Sequence, residues 1–432
     1  MNLPYYIAKK VSFSSQKTFS AIIIRIAVIA VALSITVMIV TTSLVGGFKN
    51  SIRGKIFGFW GHIQIEHFGS NQSFESVPID IDQPFYPHLD TIKGVHYRGP
   101  SEILGFEIPN TKVDKTTNGG IRHIQVYATK AGIIKTDDQL EGVVLKGVST
   151  DFDWTFLKEY LIEGELIDLP DSSISKDILI SQQTANRLKL GVGDKFIVHF
   201  VERSQRIRQF IIKGIYRTGL EEYDRRFALV DIRQIQKLNQ WDYNQVSGFE
   251  VFVDDIDDID PIYEHIYYTQ LPTNIFSQTI MNVYPAIFGW LELQDTNENV
   301  ILIVMLIACF INMITVLLIL ILERTNMIGT LKALGQNNWE IRKIFLYYAL
   351  YILVVGLFWG NLLGIGLCTA QDYFGFIQLP EESYYVKVAP IDLDFWKIIF
   401  LNIITLVTTL VVMLIPSYLI TTITPVKAIR FK

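Results

Sequence analysis

The stretch ERTNMIGTLKALGQNNWEIRKIFLYYAL, residues 323–350, is a short charged segment between two long apolar ones. The run 300–322 before it and the run 344–369 beginning near its end contain no charged residue. As helices, which rise about 1.5 Å per residue, both runs can cross about 30 Å of hydrocarbon. The segment between them carries four basic and two acidic residues, so the positive-inside rule predicts that it faces the cytoplasm.

The composition fits a membrane protein with one large soluble insertion. Of the 432 residues, 50% are hydrophobic, which is too many for an ordinary soluble enzyme and too few for a chain lying wholly in the membrane. The two cysteines, Cys309 and Cys368, both lie inside apolar runs. They therefore predict neither a disulfide framework nor a zinc site in the soluble part.

The first apolar run, residues 26–48, predicts an uncleaved membrane anchor. It is too long for the core of a signal peptide, and no Ala-x-Ala cleavage pattern follows it. Four basic and no acidic residues precede it, which places the N-terminus in the cytoplasm. Residues 44–298 contain 25 basic and 36 acidic residues, a net charge of −11, which argues against a nucleic-acid partner.

The predicted fold is an integral membrane protein with four transmembrane helices and a large mixed α+β periplasmic domain between the first two. Within that domain, Ser181 is a candidate N-cap for a helix that begins at Gln182, and the alternating runs 196–201 and 208–215 predict a hairpin. The predicted segments are a cytoplasmic amphipathic N-terminal segment at 1–20, transmembrane helices at 21–46, 298–322, 342–370 and 396–422, the periplasmic domain at 47–297, a cytoplasmic coupling helix at 323–341, a short periplasmic loop at 371–395 and a cytoplasmic tail at 423–432.

The charged segment also resembles a known signature. Glu323-Arg324, Ile328-Gly329 and the run LKALG at 331–335 are similar to the coupling helix of the FtsX/MacB-type ABC permease superfamily, and within it to the lipoprotein-releasing permeases of the LolC/LolE type. The run PVKAIR at 425–430 is similar to the C-terminal pattern of that family. The resemblance implies ATPase-coupling roles for Glu323, Arg324, Ile328, Gly329, Leu331, Lys332, Ala333, Leu334 and Gly335. Bulky substitutions at Gly329 or Gly335, or Lys332→Glu, are expected to abolish coupling while leaving folding intact.

Two features of the apolar runs predict helix packing. Gly356, Gly360 and Gly364 are four residues apart, so they return to nearly the same helix face and provide a smooth stripe for close helix contact. Asn312 lies near the middle of its run. It is expected either to hydrogen-bond a neighbouring helix or to line a substrate path.

The sequence lacks the motifs of an ATP-hydrolysing or metal-dependent enzyme. The only Gly-Lys pair, Gly54-Lys55, has Lys49 where a phosphate loop needs a glycine. The spacing of His62, Glu66 and His67 fits neither zincin pattern. We therefore expect no catalytic residue, no metal site and no directly bound cofactor in this chain.

The resemblance implies a function in lipoprotein transport. The chain is expected to be the non-catalytic permease subunit of an ABC complex of the bacterial inner membrane that extracts lipoproteins by mechanotransmission. The implied partners are a LolD-like ABC ATPase that binds ATP and Mg²⁺, a second permease protomer, identical or not, and a lipoprotein or lipid cargo. A periplasmic chaperone is recruited by a proline-containing hook in some relatives, whereas the hairpin tip at 202–206 has no proline.

Two alternatives remain open at this point. One is an FtsX-like transmembrane transmitter that activates a cell-wall hydrolase, although an insertion of about 250 residues is larger than usual for that family. The other is a MacB-like efflux permease, a class that carries a fused N-terminal ATPase.

Overall fold

The computed structural model describes residues 19–70, 76–103, 106–136, 139–170, 173–200 and 206–423. The predicted N-terminal segment lies almost wholly outside these residues, as do the tail after Ile423 and most of the hairpin tip at 202–206.

The strands of the described chain are β1 (Ile63–His67), β2 (Ile79–Asp80), β3 (His96–Ile103), β4 (Phe106–Thr116), β5 (Ile121–Lys135), β6 (Leu140–Val148), β7 (Leu161–Gly164), β8 (Asp177–Ser181), β9 (Lys195–Phe200), β10 (Arg206–Tyr216), β11 (Phe227–Asp231), β12 (Gln245–Val246), β13 (Gly248–Val253) and β14 (Ile275–Thr279). The α-helices are α1 (Phe19–Trp60), α2 (Thr155–Glu159), α3 (Gln182–Leu188), α4 (Glu221–Arg226), α5 (Ile232–Asn239), α6 (Ile259–His265), α7 (Ile280–Val283), α8 (Pro285–Glu323), α9 (Thr325–Ala333), α10 (Asn338–Phe374), α11 (Glu381–Tyr384), α12 (Phe395–Ser417) and α13 (Leu419–Thr422).

The chain divides into two compact units. A helical unit comprises Met1–Ser51, Gly289–Leu379 and Lys387–Lys432, and a sheet unit comprises Ile52–Phe288 and Pro380–Val386. Among the described residues, four helical stretches are long and apolar enough to cross a membrane, namely Ile22–Trp60, Pro285–Glu323, Asn338–Phe374 and Phe395–Thr422. Four candidate membrane helices with a mixed α/β unit agree with the predicted fold class.

The long helices extend beyond the predicted spans. Helix α1 continues past residue 46 to Trp60, and α8 begins at Pro285 rather than near residue 298. Charged residues such as Lys49 and Arg53 end an apolar run, but they do not end a helix. Beyond them, α1 stays regular because its apolar side chains Ile52 and Ile56 are fully buried.

The sheet unit is built on one ten-stranded mixed sheet with the order β14-β1-β13-β5-β6-β11-β8-β10-β7, while β9 pairs with β10 and β5. The pairs β6–β11 and β8–β10 are parallel, and the remaining pairs are antiparallel. All five residues of β11 and all six of β13 are buried, as expected for central strands covered on both faces.

Two local predictions within the sheet unit are confirmed. The Ser181 hydroxyl accepts a hydrogen bond from the Thr184 backbone N–H at the start of α3, as an N-cap does. Strands β9 and β10 pair antiparallel from Lys195–Phe200 to Arg206–Tyr216, which is the predicted hairpin.

A buried ion pair lies in the interior of the sheet unit. Lys146 Nζ is 2.7 Å from Glu250 Oε1, and both side chains are 0% exposed. The second carboxylate oxygen, Glu250 Oε2, accepts a hydrogen bond of 2.7 Å from Gln125 Nε2. The ammonium also donates to the Phe59 carbonyl in the last turn of α1 and lies 4.3 Å from the centre of the Trp60 ring system. The charges of Lys146 and Glu250 therefore compensate each other inside the protein, where no water reaches either side chain.

The glycine stripe of α10 lies against α1 within the helical unit. A Cβ atom added to Gly356, Gly360 or Gly364 would meet, in that order, Val31, Ile35 and Ile39. At Gly360 the approach to Ile35 Cβ would be 2.7 Å, closer than real contacts allow, and the Gly360 carbonyl accepts a hydrogen bond of 3.2 Å from Thr36 Oγ1. Small residues thus let the two backbones approach closely.

A second polar contact joins α10 to α12. The side-chain amides of Asn361 and Asn402 donate to each other's oxygen atoms, both at 2.8 Å. Each amide also donates to a carbonyl one turn earlier in its own helix. No sequence pattern predicts this pair, because a lone asparagine in an apolar run does not reveal its partner.

We predict that Lys146→Met lowers the free energy of unfolding by about 3–5 kcal/mol, because Glu250 would be left as an uncompensated buried charge. Adding Glu250→Gln should restore more than about 1 kcal/mol of that loss, since the amide removes the charge and keeps an acceptor for Gln125. Denaturant unfolding of the full chain in detergent measures both. A double variant no more stable than Lys146→Met alone would contradict the role of the pair.

We predict an acid-dependent loss of stability from His62. Burial, with Arg122 nearby, lowers the pKa of His62 from 6.5 to about 3, and its Nδ1 accepts from the Val253 N–H. Between these values the unfolded chain binds a proton that the folded chain does not. The contribution of neutral His62 to the free energy of unfolding is therefore complete above pH 6.5, and it falls by up to about 4 kcal/mol as the pH drops towards 3.

The neutral variant His62→Asn should lose this part of the pH dependence, whatever its stability at neutral pH. The exposed His88→Asn is the matched control and should keep it. Parallel unfolding curves for wild type and His62→Asn across this pH range would contradict the assignment.

Candidate coupling site

The predicted coupling residues lie on α9 and on the turns at its two ends. Arg324 separates α8 from α9, but its N–H still bonds the Leu320 carbonyl, so the helical bonding pattern continues across the break. The helix then ends at Ala333, and α10 begins at Asn338. The predicted single coupling helix at 323–341 is therefore a shorter helix followed by a turn.

Gly335 ends α9 through its backbone conformation. Its φ angle is +87°, a region that residues with a Cβ rarely adopt. The Gly335 N–H bonds the Lys332 carbonyl and the Gln336 N–H bonds the Leu331 carbonyl, both at 3.0 Å, which closes the helix end as a left-handed glycine cap does. A bulky residue at Gly335 would thus strain the fold, contrary to the expectation that folding stays intact.

One face of α9 is turned into the helical unit. Ile328 is 0% exposed and Gly329 is buried, while Arg324, Leu331 and Lys332 are half-buried. Ile328 belongs to the hydrophobic core of the helical unit and Leu331 packs against it, so this face holds the segment in place.

Lys332 points towards the end of the last helix. Its Nζ donates hydrogen bonds to the carbonyls of Ile420, Thr421 and Ile423, at 2.7, 3.3 and 2.6 Å. The final carbonyls of a helix have no partner within it, and an ammonium there also complements the negative end of the helix dipole. Burial lowers the pKa of Lys332. Lys332→Glu would place a carboxylate against these carbonyls, so this substitution also affects the fold.

The other face of the segment is open. Glu323, Ala333, Leu334 and Gly335 are exposed, and Leu334 has 79% of its surface accessible. Trp339, at the start of α10, is 48% exposed. Two large apolar side chains near one turn form a small surface suited to a protein contact.

A contact between Arg342 and Tyr418, which the sequence did not predict, also holds this segment. The Arg342 guanidinium lies 4.7 Å from the centre of the Tyr418 ring, a cation–π contact between α10 and the start of the last turn of helix. Together with Lys332, it fixes residues 418–423 against the coupling segment. In the sequence Arg342 is one of the basic residues of the charged segment, and no local pattern indicates that it contacts Tyr418.

Asn312 differs from the other predicted packing residues. Its side chain is exposed on the helical unit and makes no hydrogen bond to any described residue. The predicted contact with a neighbouring helix is therefore not made within the described part of this chain. Within the described part of the chain, no three His, Cys, Asp or Glu side chains lie close enough together to hold a metal ion.

We predict that Lys332→Met destabilises the full chain by about 1–3 kcal/mol, because the helix-end carbonyls lose their donor. Lys343→Met is the matched control, since Lys343 makes weak contacts at the surface: a 3.8 Å ion pair with Glu340 and a 6.0 Å approach to the Trp339 ring. Its effect should stay below about 0.5 kcal/mol. Thermal unfolding in one detergent measures both, and equal losses would show that the three carbonyls do not depend on Lys332.

Comparison with known proteins places this architecture in a family. The family described as "FtsX-like permease C-terminal" matches residues 299–425, and the "MacB-like periplasmic core domain" matches residues 26–266. A solved structure, the extracellular domain of the noncanonic ABC-type transporter YknZ from Gram-positive bacteria, covers 50% of this chain and 98% of its own at 12% identity. Its TM-score of 0.31 is too low to support an inference.

Curated relatives match over nearly the whole length. The lipoprotein-releasing system transmembrane protein LolC of Xylella fastidiosa is 20% identical over 96% of this chain and 95% of its own. LolC of Neisseria meningitidis is 21% identical over 100% of this chain and 98% of its own length. LolE of Haemophilus influenzae is 22% identical over 96% of each chain. With both family regions matched in the order expected from the sequence, the chain belongs to the FtsX-like permeases that carry a MacB-like periplasmic core domain.

Proposed function

We propose that this chain is the permease subunit of an ABC complex that uses a partner ATPase to release lipoproteins from the bacterial inner membrane. The observation that carries the proposal is the two-sided coupling segment. Its inner face is buried at Ile328 and fixed through Lys332, while its outer face presents Leu334 and Trp339. The names of the curated relatives, lipoprotein-releasing LolC and LolE, support the cargo class.

The coupling segment is connected so that it can transmit a displacement to the helices on either side. Helix α9 follows α8 with a single residue between them, and a capped turn leads into α10. Lys332 adds a link to α13. A displacement of the outer face would therefore move the ends of three helices together, because a close-packed inner face does not absorb it by local compression.

Mechanical work of this kind suits the proposed reaction. Each CH₂ group of an acyl chain that leaves the bilayer costs about 0.8 kcal/mol, so extraction is steeply uphill. In the proposal, ATP and Mg²⁺ bind to the partner ATPase, and this chain acts as a non-catalytic subunit that transmits the resulting motion.

The proposal includes a second permease protomer. A polar side chain in a candidate membrane helix is costly when it faces lipid, and Asn312 is exposed in the single chain. A helix from a second copy or a paralogue would supply the missing hydrogen-bond partner. In this arrangement both termini and the coupling segment are cytoplasmic and the sheet unit is periplasmic, which the basic charge of residues 323–350 supports.

We predict that Leu334→Asp abolishes the stimulation of ATP turnover by lipidated substrate and the release of lipoprotein, because it places a charge in the centre of the docking surface. The chain is reconstituted with its co-purifying ATPase, and both ATP turnover and released lipoprotein are measured. Leu140→Asp is the control, since Leu140 is also exposed, at 68%, but lies in the sheet unit.

Four outcomes would contradict the proposal. Wild-type complex that neither changes its ATP turnover with lipidated substrate nor releases lipoprotein rules out the transport role. Capture and activation of a cell-wall hydrolase would favour the transmitter alternative, and extrusion of small molecules would favour the efflux alternative. Labelling of the coupling segment by an impermeant reagent applied to intact cells would reverse the orientation.

A further inference from the structure

The sheet unit contains a cavity of about 460 Å³, and all of its lining residues belong to that unit. This volume lies within the range of roughly 300–1,000 Å³ that small-molecule sites occupy. Its floor is one face of the sheet at strands β14, β1 and β5, and its walls come from the end of α1 and from the region of α4 and α7.

Two rows of residues, most of them polar, cross the strands on this face of the sheet. In the first row the register aligns Phe276, Glu66, Gly248 and Tyr127, and in the second it aligns Gln278, Gln64, Glu250 and Gln125. The opposite face of β1 carries Ile63 and Ile65, both 0% exposed. The sheet therefore has an ordinary apolar face and one unusually polar face under the cavity.

The first row positions a carboxylate. Gly248 has no side chain, and an added Cβ would lie 3.2 Å from both Tyr127 Cε1 and Oη. Tyr127 therefore passes over Gly248, and its hydroxyl donates to Glu66 Oε1. Burial raises the pKa of the Glu66 carboxyl, although the bond from Tyr127 opposes this. No basic side chain forms an ion pair with Glu66 among the described residues.

The second row contains an amide without a partner. Glu250 is neutralised by Lys146 and bonded by Gln125, whereas the Gln64 side chain is 5% exposed and makes no hydrogen bond to any described residue. The Gln64 amide lines the cavity, so its donors and its acceptor are available to a ligand there.

The walls are aromatic. Trp60 and Tyr127 meet edge to face with ring centres 6.1 Å apart, and Tyr223 and Tyr284 do so at 5.3 Å. Trp60, Tyr127 and Tyr223 are all at most 4% exposed, so these rings are held rigidly. At the mouth, Glu222 and Arg226 are exposed. Lining charges thus comprise two carboxylates and one guanidinium.

We propose that this cavity binds a small organic ammonium compound, whose charged group lies between the aromatic rings and Glu66 and whose polar body bonds Gln64. Cations are attracted to the faces of Trp and Tyr rings, and a carboxylate without a basic partner adds a charge-assisted contact. The inference does not depend on lipoprotein release, because all of its residues belong to the sheet unit.

The test uses the full chain in a maltoside detergent, which carries no ammonium group, and calorimetric titration at mildly alkaline pH. Choline and ethanolamine are the probes, and 3,3-dimethylbutan-1-ol is the uncharged match for choline. Choline or ethanolamine should bind, and the alcohol should bind at least about tenfold more weakly, since it has the shape without the charge.

Variants then locate the site. Glu66→Gln and Gln64→Leu should each weaken binding of the ammonium probe by about tenfold or more. Glu165→Gln is the control, because Glu165 is an exposed acid paired with Lys213 elsewhere in the sheet unit, and it should bind as wild type does. Thermal unfolding of each variant without ligand separates loss of the site from loss of the fold.

The remaining outcomes overturn the proposal. Equal binding of choline and the alcohol would mean an apolar pocket without charge recognition. Binding that survives Glu66→Gln in a folded chain would place the probe elsewhere. No binding of either ammonium probe would leave the polar rows as a structural feature only.

Discussion

The stability of the sheet unit depends on the partners of one buried ammonium group, that of Lys146. Lys146 has no access to water, so its charge must be balanced by Glu250 and its donors must find acceptors inside the protein. One of these acceptors is the Phe59 carbonyl at the end of α1, where a helix leaves its last carbonyls without a partner. The ammonium that is neutralised by Glu250 in the sheet interior therefore also binds the end of the first long helix.

The helical unit uses the same chemistry at another helix end. Lys332 donates to three carbonyls at the end of the last helix, and Arg342 lies against Tyr418 at its start. These contacts make the inner face of the coupling segment a structural element, whereas Leu334 and Trp339 on the outer face stay exposed. In the proposed mechanism, Lys332 thus acts as a positioning residue and the apolar pair Leu334 and Trp339 would form the docking surface.

Polar contacts within apolar surroundings recur in both units. Asn361 and Asn402 bond each other between two candidate membrane helices, and Gln64 and Glu66 lie on the polar face of a sheet whose other face is apolar. The first pair is complete within the chain. The side chains of Gln64 and Asn312 make no hydrogen bond to any described residue. The cavity and the exposed helix face are therefore the two places where we propose a binding partner.

The sequence by itself determined the apolar runs, the basic segment between two of them, the Ser181 cap and the β9–β10 hairpin, because charge, hydropathy and capping patterns are local. It also predicted that Gly356, Gly360 and Gly364 share a face, although not that α1 would be the helix they meet. Only the tertiary structure decided that α1 continues to Trp60, that Lys332 faces inward and that Glu66, Tyr127 and Gln64 come together. Those outcomes depend on contacts between residues far apart in the chain, and no local pattern encodes which buried donor will find which acceptor.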